Sequence, residues 1–508
     1  MVFKTGKQKK QLYGYYTTLN RMSTIGIIGA GLSSLYAACK LSHAGHSVEV
    51  FEKNSMPGGR SQTFSEMGFQ FDMGPSWYWM PELIDNLFEE LDENRNDYFK
   101  LTRLSPSYRV FWNESTPTDI PVEKDELFEI FDSFEKYGAK KLSIFLSDAK
   151  LKYDISVSDF LENPGLKINE LLKPSLFRKA LKLDILKSVE KDICKRFTSK
   201  KARSILTFPS LFLGAMPNKI PALYSMMNHA DLSLGTWYPE NGMNSLAKAL
   251  ETIALKNGTT FHYKSPVDRI SVENNSATGI TVNGEFKSFD TIISGADYHH
   301  TEQFLLEEEF RKYDAKYWGT RKMAPSSLIF YLGIDKKVEN LIHHNLFFDE
   351  DLGVHGKEIY ENPSWPVKPL FYVCCPSKTD LDVAPLGMEN LFILIPIAPD
   401  LEDTEEIRSY YYKLILKRIE DRTGHSIKEN VIYKRSFCAS DFKTEYNSFK
   451  GNAYGLANTL MQTANLKPKI KSKLKNMYYC GQLTVPGPGI PPALISGKIV
   501  ANQILNSI

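Results

Sequence analysis

The hydrophobic pattern of residues 24–52 predicts a strand, a helix and a second strand in close succession. Thr24–Ile28 and Ser47–Phe51 are short apolar runs of β-rich residues. Between these runs, apolar side chains recur at helical spacing, and Gly45 marks the end of the predicted helix. The positions that carry this period are Leu32, Leu35, Tyr36, Ala38, Cys39 and Leu41.

Two glycines and one acid suggest what this unit binds. Gly29 permits a tight turn after the first strand, and Gly31 allows a diphosphate to approach the helix N-terminus. Ser34 occupies the position of a third small residue, where the usual fingerprint has glycine. Glu52 ends the second strand, where a carboxylate can accept hydrogen bonds from ribose hydroxyls. The pattern predicts a dinucleotide site, and the alternative is an incidental glycine turn.

The next segment favours a flavin over a nicotinamide dinucleotide. After Lys53 the chain makes a glycine loop, Pro57-Gly58-Gly59-Arg60, where a nicotinamide-binding unit usually continues into another helix. Backbone N–H groups and the Arg60 guanidinium suit a second face of a diphosphate or a flavin. The alternative is a plain turn with Arg60 as a surface charge. The segment that follows, FQFDMGPS, supplies three more candidate contacts: Gly74, Pro75 and Ser76.

A second glycine-rich loop lies far along the chain. Residues 478–500 read as a strand, a Gly/Pro loop and a helix that starts near Pro492. A loop of this kind before a helix N-terminus can hold a phosphate or an electron-rich ring edge through its backbone N–H groups. Between the two loops, residues 259–296 show short alternating strands broken by Asn-Gly and Asn-Asn turn signals.

Composition narrows the class of protein. The 508 residues suggest two or three packed domains, and the net charge of +2 gives no indication of nucleic-acid binding. Six scattered cysteines do not form a disulfide framework and fit a reducing compartment. The sequence contains no run of eighteen apolar residues, so we predict no transmembrane helix. Residues 1–22 are basic and lack the apolar core of a secretory signal, so we expect a flexible extension or an upstream start before Met22.

The two loops together resemble the FAD-binding segments of the carotenoid desaturases and their amine-oxidase-like relatives. The resemblance rests on GAG…EK…PGGR…FDMGP at one end and GQLTVPGPGIP at the other. Central segments at 237–250, 374–401 and 440–456 also resemble the carotenoid desaturases. Leu483 and Val485 stand where the family pattern has glycine and histidine, which leaves the reaction less defined than the cofactor.

The resemblance implies FAD as the cofactor, with Glu52 on the adenosine ribose, Gly59 and Arg60 near the flavin, and Val267 on the adenine. It implies further contacts from the second loop, at Gly481, Gln482, Gly489, Ile490 and Pro491. The implied fold is α/β: a discontinuous Rossmann-like, glutathione-reductase-like FAD-binding domain beside a substrate domain of mixed β-sheet and helices. We expect the FAD domain at 23–105, 245–300 and 435–508, with the substrate domain at 106–244 (helical) and 301–434 (sheet).

The implied activity is the FAD-dependent desaturation of a C40 carotenoid, phytoene to lycopene or to partly desaturated intermediates. Hydride loss to the flavin followed by proton loss needs orientation more than an acid–base pair. The sequence offers no triad or metal cluster, and His299-His300 and His343-His344 are expected to diverge on regular structure. The alternatives are a desaturase, isomerase or saturase of another carotenoid or retinoid, an FAD amine oxidase, and a non-catalytic lipid carrier.

A polyene substrate implies contact with a membrane. Residues 173–203 carry eleven Lys/Arg against three Asp/Glu with apolar residues between them, as in a basic helix that lies on an anionic bilayer. The alternative is a solvated charged face above a packed apolar one. The apolar segment 208–217 could line a tunnel mouth or belong to the core. We expect a cytoplasmic protein on the inner face of the membrane, with oxygen or a quinone as electron acceptor.

Overall fold

A computed structural model describes residues 22–113, 116–164, 187–211, 213–459, 461–463 and 466–507. The predicted flexible extension lies outside the described residues except for Met22. So does the first half of the predicted membrane helix, at 173–186. Helices of eight residues or more are Leu32–His43, Pro81–Glu89, Lys124–Phe134, Gly138–Asp159, Val189–Arg196, Lys200–Leu211, Asn244–Lys256, Leu352–Tyr360, Glu405–Thr423, Ala439–Tyr446 and Ile490–Leu505.

A five-stranded parallel sheet is built around the first strand of the chain. Thr24–Ile28 pairs in parallel with the strand before Glu52 on one side and with a strand nearly 270 residues later on the other. Its last four residues are buried, as both faces of a parallel sheet usually are. In spatial order the strands are Met477–Tyr479, Thr291–Ser294, Thr24–Ile28, Ser47–Phe51 and Thr260–His262.

Helices from three distant parts of the chain cover this sheet. The helix Leu32–His43 packs against Asn244–Lys256 and against Ile490–Leu505 in one hydrophobic cluster. The approach is so close that a Cβ on Gly497 would overlap the carbonyl oxygen of Ser33. A glycine in the late helix therefore allows it to lie directly on the N-terminal helix.

A seven-stranded sheet forms the second layer of the molecule. Its pairs are antiparallel except for that between Tyr108–Trp112 and His344–Phe348. Alternate residues of Ser326–Ile334 enter two cores, one beneath the helix Glu405–Thr423 and one shared with the helices between residues 124 and 211. In spatial order the strands are Val431–Phe437, Ser326–Ile334, Glu389–Ile397, Phe371–Cys374, His344–Phe348, Tyr108–Trp112 and Thr118–Ile120. Two smaller antiparallel ribbons pair Thr63–Glu66 with Phe69–Asp72 and Leu101–Arg103 with Trp237–Pro239.

Two strands of the large sheet come from a stretch that the sequence reading assigned to helices. Tyr108–Trp112 and Thr118–Ile120 lie inside 106–244 and form one edge of the sheet. Tyr108, Val110 and Trp112 alternate with a period of two and enter the core shared with the helices between residues 124 and 211. That short alternation could have predicted these strands from the sequence.

A three-stranded antiparallel sheet completes the architecture, formed by Val267–Glu273, Ser276–Val282 and Glu285–Ser288. Among the helices in the described part of the chain, none combines the length and the apolar character needed to cross a membrane. In the later half of the predicted membrane helix, Val189, Ile193 and Phe197 are fully buried in the protein core. These three side chains are therefore packed inside the protein and unavailable to a bilayer.

Candidate functional site

One large cavity lies between the parallel sheet and the seven-stranded sheet. Its volume is about 1190 Å³, above the range of roughly 300–1,000 Å³ that is usual for small-molecule sites. Glycine loops and helix N-termini line one part, here called the glycine end. Apolar and aromatic side chains line the other, here called the apolar end. The glycine end is lined by residues such as Gly29, Gly31, Gly58, Gly59, Gly481 and Gly489, and the apolar end by residues such as Trp79, Phe208, Met216, Ile329, Leu346 and Leu394.

The glycine end starts with two turns that pack backbone against backbone. Gly29 has a φ of +87°, which suits glycine, and the Gly58 N–H donates to the Ala30 carbonyl at 2.8 Å. A Cβ on Gly59 would lie 3.3 Å from the Gly31 Cα, whereas a Cβ on Gly31 would meet no atom within 4 Å. Gly31 therefore borders open space at the start of a helix whose first turn carries no acid. An anion fits this position.

Glu52 fixes the turn and lines the cavity. One carboxylate oxygen accepts the Ala30 N–H at 2.7 Å, and the other accepts the Asn54 N–H at 2.8 Å. The side chain is buried, yet each oxygen keeps a lone pair because a carboxylate can accept about four hydrogen bonds. Glu52 can therefore hold the loop and still accept from a ligand hydroxyl.

Arg60 is a cation with spare donor capacity. Its Nη2 donates to Ser448 Oγ at 3.1 Å and to the Asn452 carbonyl at 3.3 Å, while its Nε has no hydrogen-bond partner. Tyr446 lies with its ring centroid 5.3 Å from the guanidinium carbon. Burial lowers the pKa of Arg60 and raises that of neighbouring Asp297 to about 6, a rise that Arg60 opposes. An unpartnered buried donor in the cavity wall fits an anionic or carbonyl-bearing group.

The second glycine loop brings another unpartnered cation close to the cavity. Gly481, Gly487 and Gly489 all have positive φ, and a Cβ on Gly487 would lie 3.2 Å from Lys467 Nζ. That ammonium is buried without a hydrogen-bond partner in the described part of the chain, and burial lowers its pKa to about 7. An electron-rich group at this loop would satisfy it.

The structure gathers at this cavity all but one of the residues that the sequence singled out. Ser34 does not line it. Its hydroxyl instead packs at Gly295, where a Cβ would overlap it, and lies 4.0 Å from Cys480 Sγ. The predicted residues that do line the cavity are Gly29, Gly31, Glu52, Lys53, Gly59, Arg60, Gly74, Pro75, Ser76, Val267, Gly481, Gln482, Gly489, Ile490 and Pro491.

Sequence reasoning missed Asp297, Tyr446 and Lys467. A signal existed for Asp297, which follows the buried strand Thr291–Ser294, because ligands of parallel sheets bind at the carboxyl ends of strands. Tyr446 and Lys467 had no local signal, since their places depend on long-range packing. The apolar segment 208–217 contributes four side chains to the cavity wall: Phe208, Leu211, Leu213 and Met216.

The expectation that His343 and His344 diverge is wrong. Only His344 lies in a regular strand, and the two ring centroids are 4.5 Å apart. His299 and His300 are partly buried and stack on Phe449 and Phe304 respectively. Both rings therefore pack against neighbouring aromatic side chains.

The sequence matches one protein family over nearly its whole length. Residues 30–505 match the flavin containing amine oxidoreductases. The carotenoid 3,4-desaturase of Haloarcula japonica is 35% identical over 486 residues, covering 95% of this chain and 98% of that protein. The zeta-carotene-forming phytoene desaturase of Myxococcus xanthus is 28% identical over 490 residues, covering 95% of this chain and 93% of that protein.

Solved structures show the same fold at low sequence identity. An oxidoreductase from Methanosarcina mazei superposes with a TM-score of 0.62 at 18% identity, covering 95% of this chain and all of that one. Putrescine oxidase bound to putrescine superposes with a TM-score of 0.60 at 14% identity, covering 96% of this chain and 99% of that one.

The unpartnered Arg60 donor and the open space at Gly31 fit FAD, the cofactor that the sequence predicts. The chain therefore belongs to the flavin containing amine oxidoreductases, and within them it is an FAD-dependent oxidoreductase of the bacterial carotenoid desaturase type.

Proposed function

We propose that the protein desaturates a C40 carotenoid, converting phytoene to lycopene or to partly desaturated intermediates. The observation that carries this proposal is the continuity of the cavity. The glycine end, which suits FAD, opens directly into an apolar end that suits a hydrocarbon. The proposal also assigns cofactor contacts to the cavity-lining residues that the sequence predicted, and adds Asp297 and Lys467 to them.

Bound FAD supplies the hydride acceptor for such a reaction. The protein orients the polyene between apolar walls and keeps water away from the reacting carbons. His355 lines the apolar end but cannot take the proton that leaves. Its Nδ1 accepts the Leu370 N–H at 3.1 Å, so its Nε2 carries the hydrogen that faces the Pro396 carbonyl at 2.9 Å. With both nitrogens engaged, His355 is a wall residue, and orientation toward the flavin carries the chemistry.

A second candidate is the desaturation of a carotenoid that is already conjugated. The observation that favours it is the 35% identity to a carotenoid 3,4-desaturase, above the 28% to a phytoene desaturase. Val485, which is buried at the cavity, stands where the family pattern has histidine. This difference also favours a substrate other than that of the family members with histidine. The chemistry and the cofactor are the same in both candidates.

The test is expression of the chain in two bacterial hosts, a colourless one that accumulates phytoene and a red one that accumulates lycopene. Pigments are separated by chromatography and identified by absorbance and mass. Loss of hydrogens from phytoene supports the first candidate, and loss from lycopene alone supports the second. No change in either host, with FAD-loaded protein present, would reject both. Anaerobic bleaching of the flavin by the purified substrate distinguishes an enzyme from a lipid carrier.

We also propose that the protein works at an anionic membrane surface, since its substrate is insoluble in water. The support is the basic composition of 173–186, which lies outside the described residues. Neutralising Lys173, Arg178, Lys179 and Lys182 should lower sedimentation with anionic vesicles. The control neutralises the exposed Lys413, Lys417, Lys428 and Lys443 and should leave sedimentation unchanged. Equal binding by both variants would contradict the proposal.

We further propose oxygen or a quinone as the electron acceptor that reoxidises the flavin after each turnover.

A further inference from the structure

A cluster of three potential metal ligands lies behind the wall of the cavity. His343, His344 and Cys374 are all buried, and one ligand atom from each lies within 4.8 Å of the others. His344 and Cys374 are direct partners on neighbouring antiparallel strands, so their side chains share a face of the sheet. His343 precedes the strand and turns toward the same place.

Hydrogen bonds engage one ring nitrogen of each histidine. The Tyr372 hydroxyl donates to Ser76 Oγ at 3.0 Å, so it accepts from His344 Nδ1, which lies 2.6 Å away. The lone pair of His344 is therefore on Nε2. His343 Nδ1 is likewise engaged, at 2.7 Å from Thr379 Oγ1. Metal-binding histidines usually have one ring nitrogen fixed in this way by an outer partner.

The other nitrogen of each ring has nothing to bind. The Nε2 atoms of His343 and His344 are buried and have no hydrogen-bond partner in the described part of the chain. Two such unsatisfied atoms in rings whose centroids lie 4.5 Å apart are unusual, because buried polar atoms nearly always find a partner.

A small space borders the cluster at Cys374. A space of about 10 Å³ borders Cys374 and is also lined by Ser76, Tyr238 and Asp72. It approaches the size that holds one water molecule, on the Cys374 side of the cluster. Asp72, which also lines this space, is half-buried and makes no ion pair with any described residue.

We propose that His343, His344 and Cys374 bind one divalent transition-metal ion, with zinc as the ion that two imidazoles and a thiolate favour. Tetrahedral zinc places such ligand atoms roughly 3.3–3.7 Å apart, so side-chain movements of at most about 1 Å bring the cluster to that geometry. The Cys374 thiol loses its proton to solvent as the ion binds, and no electron is transferred. The ion is structural.

The position of the cluster gives the ion a consequence for the cavity. Trp77 stacks on His344 with ring centroids 4.1 Å apart, and Tyr372 joins His344 to Ser76. Trp77, Tyr372 and Ser76 all line the large cavity. Fixing the His344 ring from behind therefore fixes the part of the wall where the glycine end meets the apolar end.

The test measures metal in the FAD-loaded protein. Protein purified without chelators is incubated with one equivalent of zinc sulfate, desalted and analysed by mass spectrometry for metal content. We expect about one zinc per chain. Zinc-edge X-ray absorption should show one sulfur at about 2.3 Å and nitrogen at about 2.0 Å. Less than a tenth of an equivalent, or an all-oxygen shell, would overturn the proposal without touching the FAD-dependent activity.

The matched variants are Cys374→Ser and Cys375→Ser. Both cysteines are buried and adjacent, but Cys375 Sγ faces Ser377 Oγ at 3.5 Å and lies outside the cluster. We expect Cys374→Ser to lose at least nine-tenths of its zinc and Cys375→Ser to keep it, with the flavin-to-protein absorbance ratio as the check on folding. Equal zinc in the two variants would overturn the proposal. If Cys374→Ser does not fold, the absorption spectrum of the unmodified protein decides.

Discussion

The two ends of the large cavity are built in different ways. At the glycine end the wall includes much backbone, held by N–H to carbonyl and N–H to Glu52 bonds, and its side chains include polar ones such as Glu52 and Arg60. At the apolar end the wall consists of side chains from the seven-stranded sheet and from the segment 208–217. A backbone wall fits one cofactor and tolerates little change, whereas a side-chain wall can be reshaped for different substrates.

The sharpest way to break the glycine end is Gly31→Asp. Gly31 has a φ of −72° and open space beside it, so the new side chain does not strain the fold but places a carboxylate where a diphosphate would lie. We expect colourless, folded protein with FAD binding and turnover reduced at least 100-fold, measured by flavin absorbance and product analysis. Gly319→Asp is the control, because Gly319 also has open space but lies away from the cavity. Yellow Gly31→Asp protein would contradict the assignment.

Arg60→Met should have the next largest effect. It removes two hydrogen bonds and the unpartnered Nε donor. Because bonds to charged groups contribute about 1.5–3 kcal/mol, FAD affinity should fall about 10- to 100-fold in a titration of the apoprotein. The control Arg196→Met removes an arginine that pairs with Asp148 and Asp192 away from the cavity. If both variants bind FAD like the unmodified protein, Arg60 does not contact the cofactor.

A charge in the apolar end should separate substrate from cofactor. Met216→Glu places a carboxylate in the wall, where it is either desolvated or brings water with it. We expect turnover of the polyene to fall about 10-fold while FAD content stays the same. Met216→Leu keeps the apolar volume and should stay close to the original activity. Equal loss of flavin in Met216→Glu would show that the two ends do not act independently.

The smallest expected effect concerns stability at one side of the apolar end. Asp231 accepts from the Tyr108 hydroxyl at 3.0 Å, its other oxygen has no partner, and burial raises its pKa to about 7. The unfolded carboxyl titrates near 4, so the folded state loses stability as pH rises from about 4 to 7. Asp231→Asn should therefore stabilise the protein by about 1–3 kcal/mol more at pH 8.5 than at pH 4 in denaturant unfolding. If the stability gain of Asp231→Asn is the same at both pH values, the folded protein does not raise the pKa of Asp231.

The glycine end could be predicted from the sequence because its chemistry is local. A strand, a glycine turn and a helix follow one another within about 25 residues, and each needs a particular residue type. The partners of Arg60 could not be predicted, because Ser448 and Asn452 arrive from nearly 400 residues away. The pairing of His344 with Cys374 depends on strand register in the large sheet, which no local pattern specifies.

The parallel sheet sets an order of events during synthesis of the chain. Its central strand, Thr24–Ile28, is made early but acquires its neighbour Thr291–Ser294 only when most of the chain exists. The edge strand Met477–Tyr479 and the helix Ile490–Leu505 follow later still. Pairings between such distant segments carry a high entropic cost of loop closure and form slowly. The second glycine loop, which lines the cavity, is therefore in place only after this late segment has left the ribosome, and the nascent chain carries an incomplete cavity wall until then.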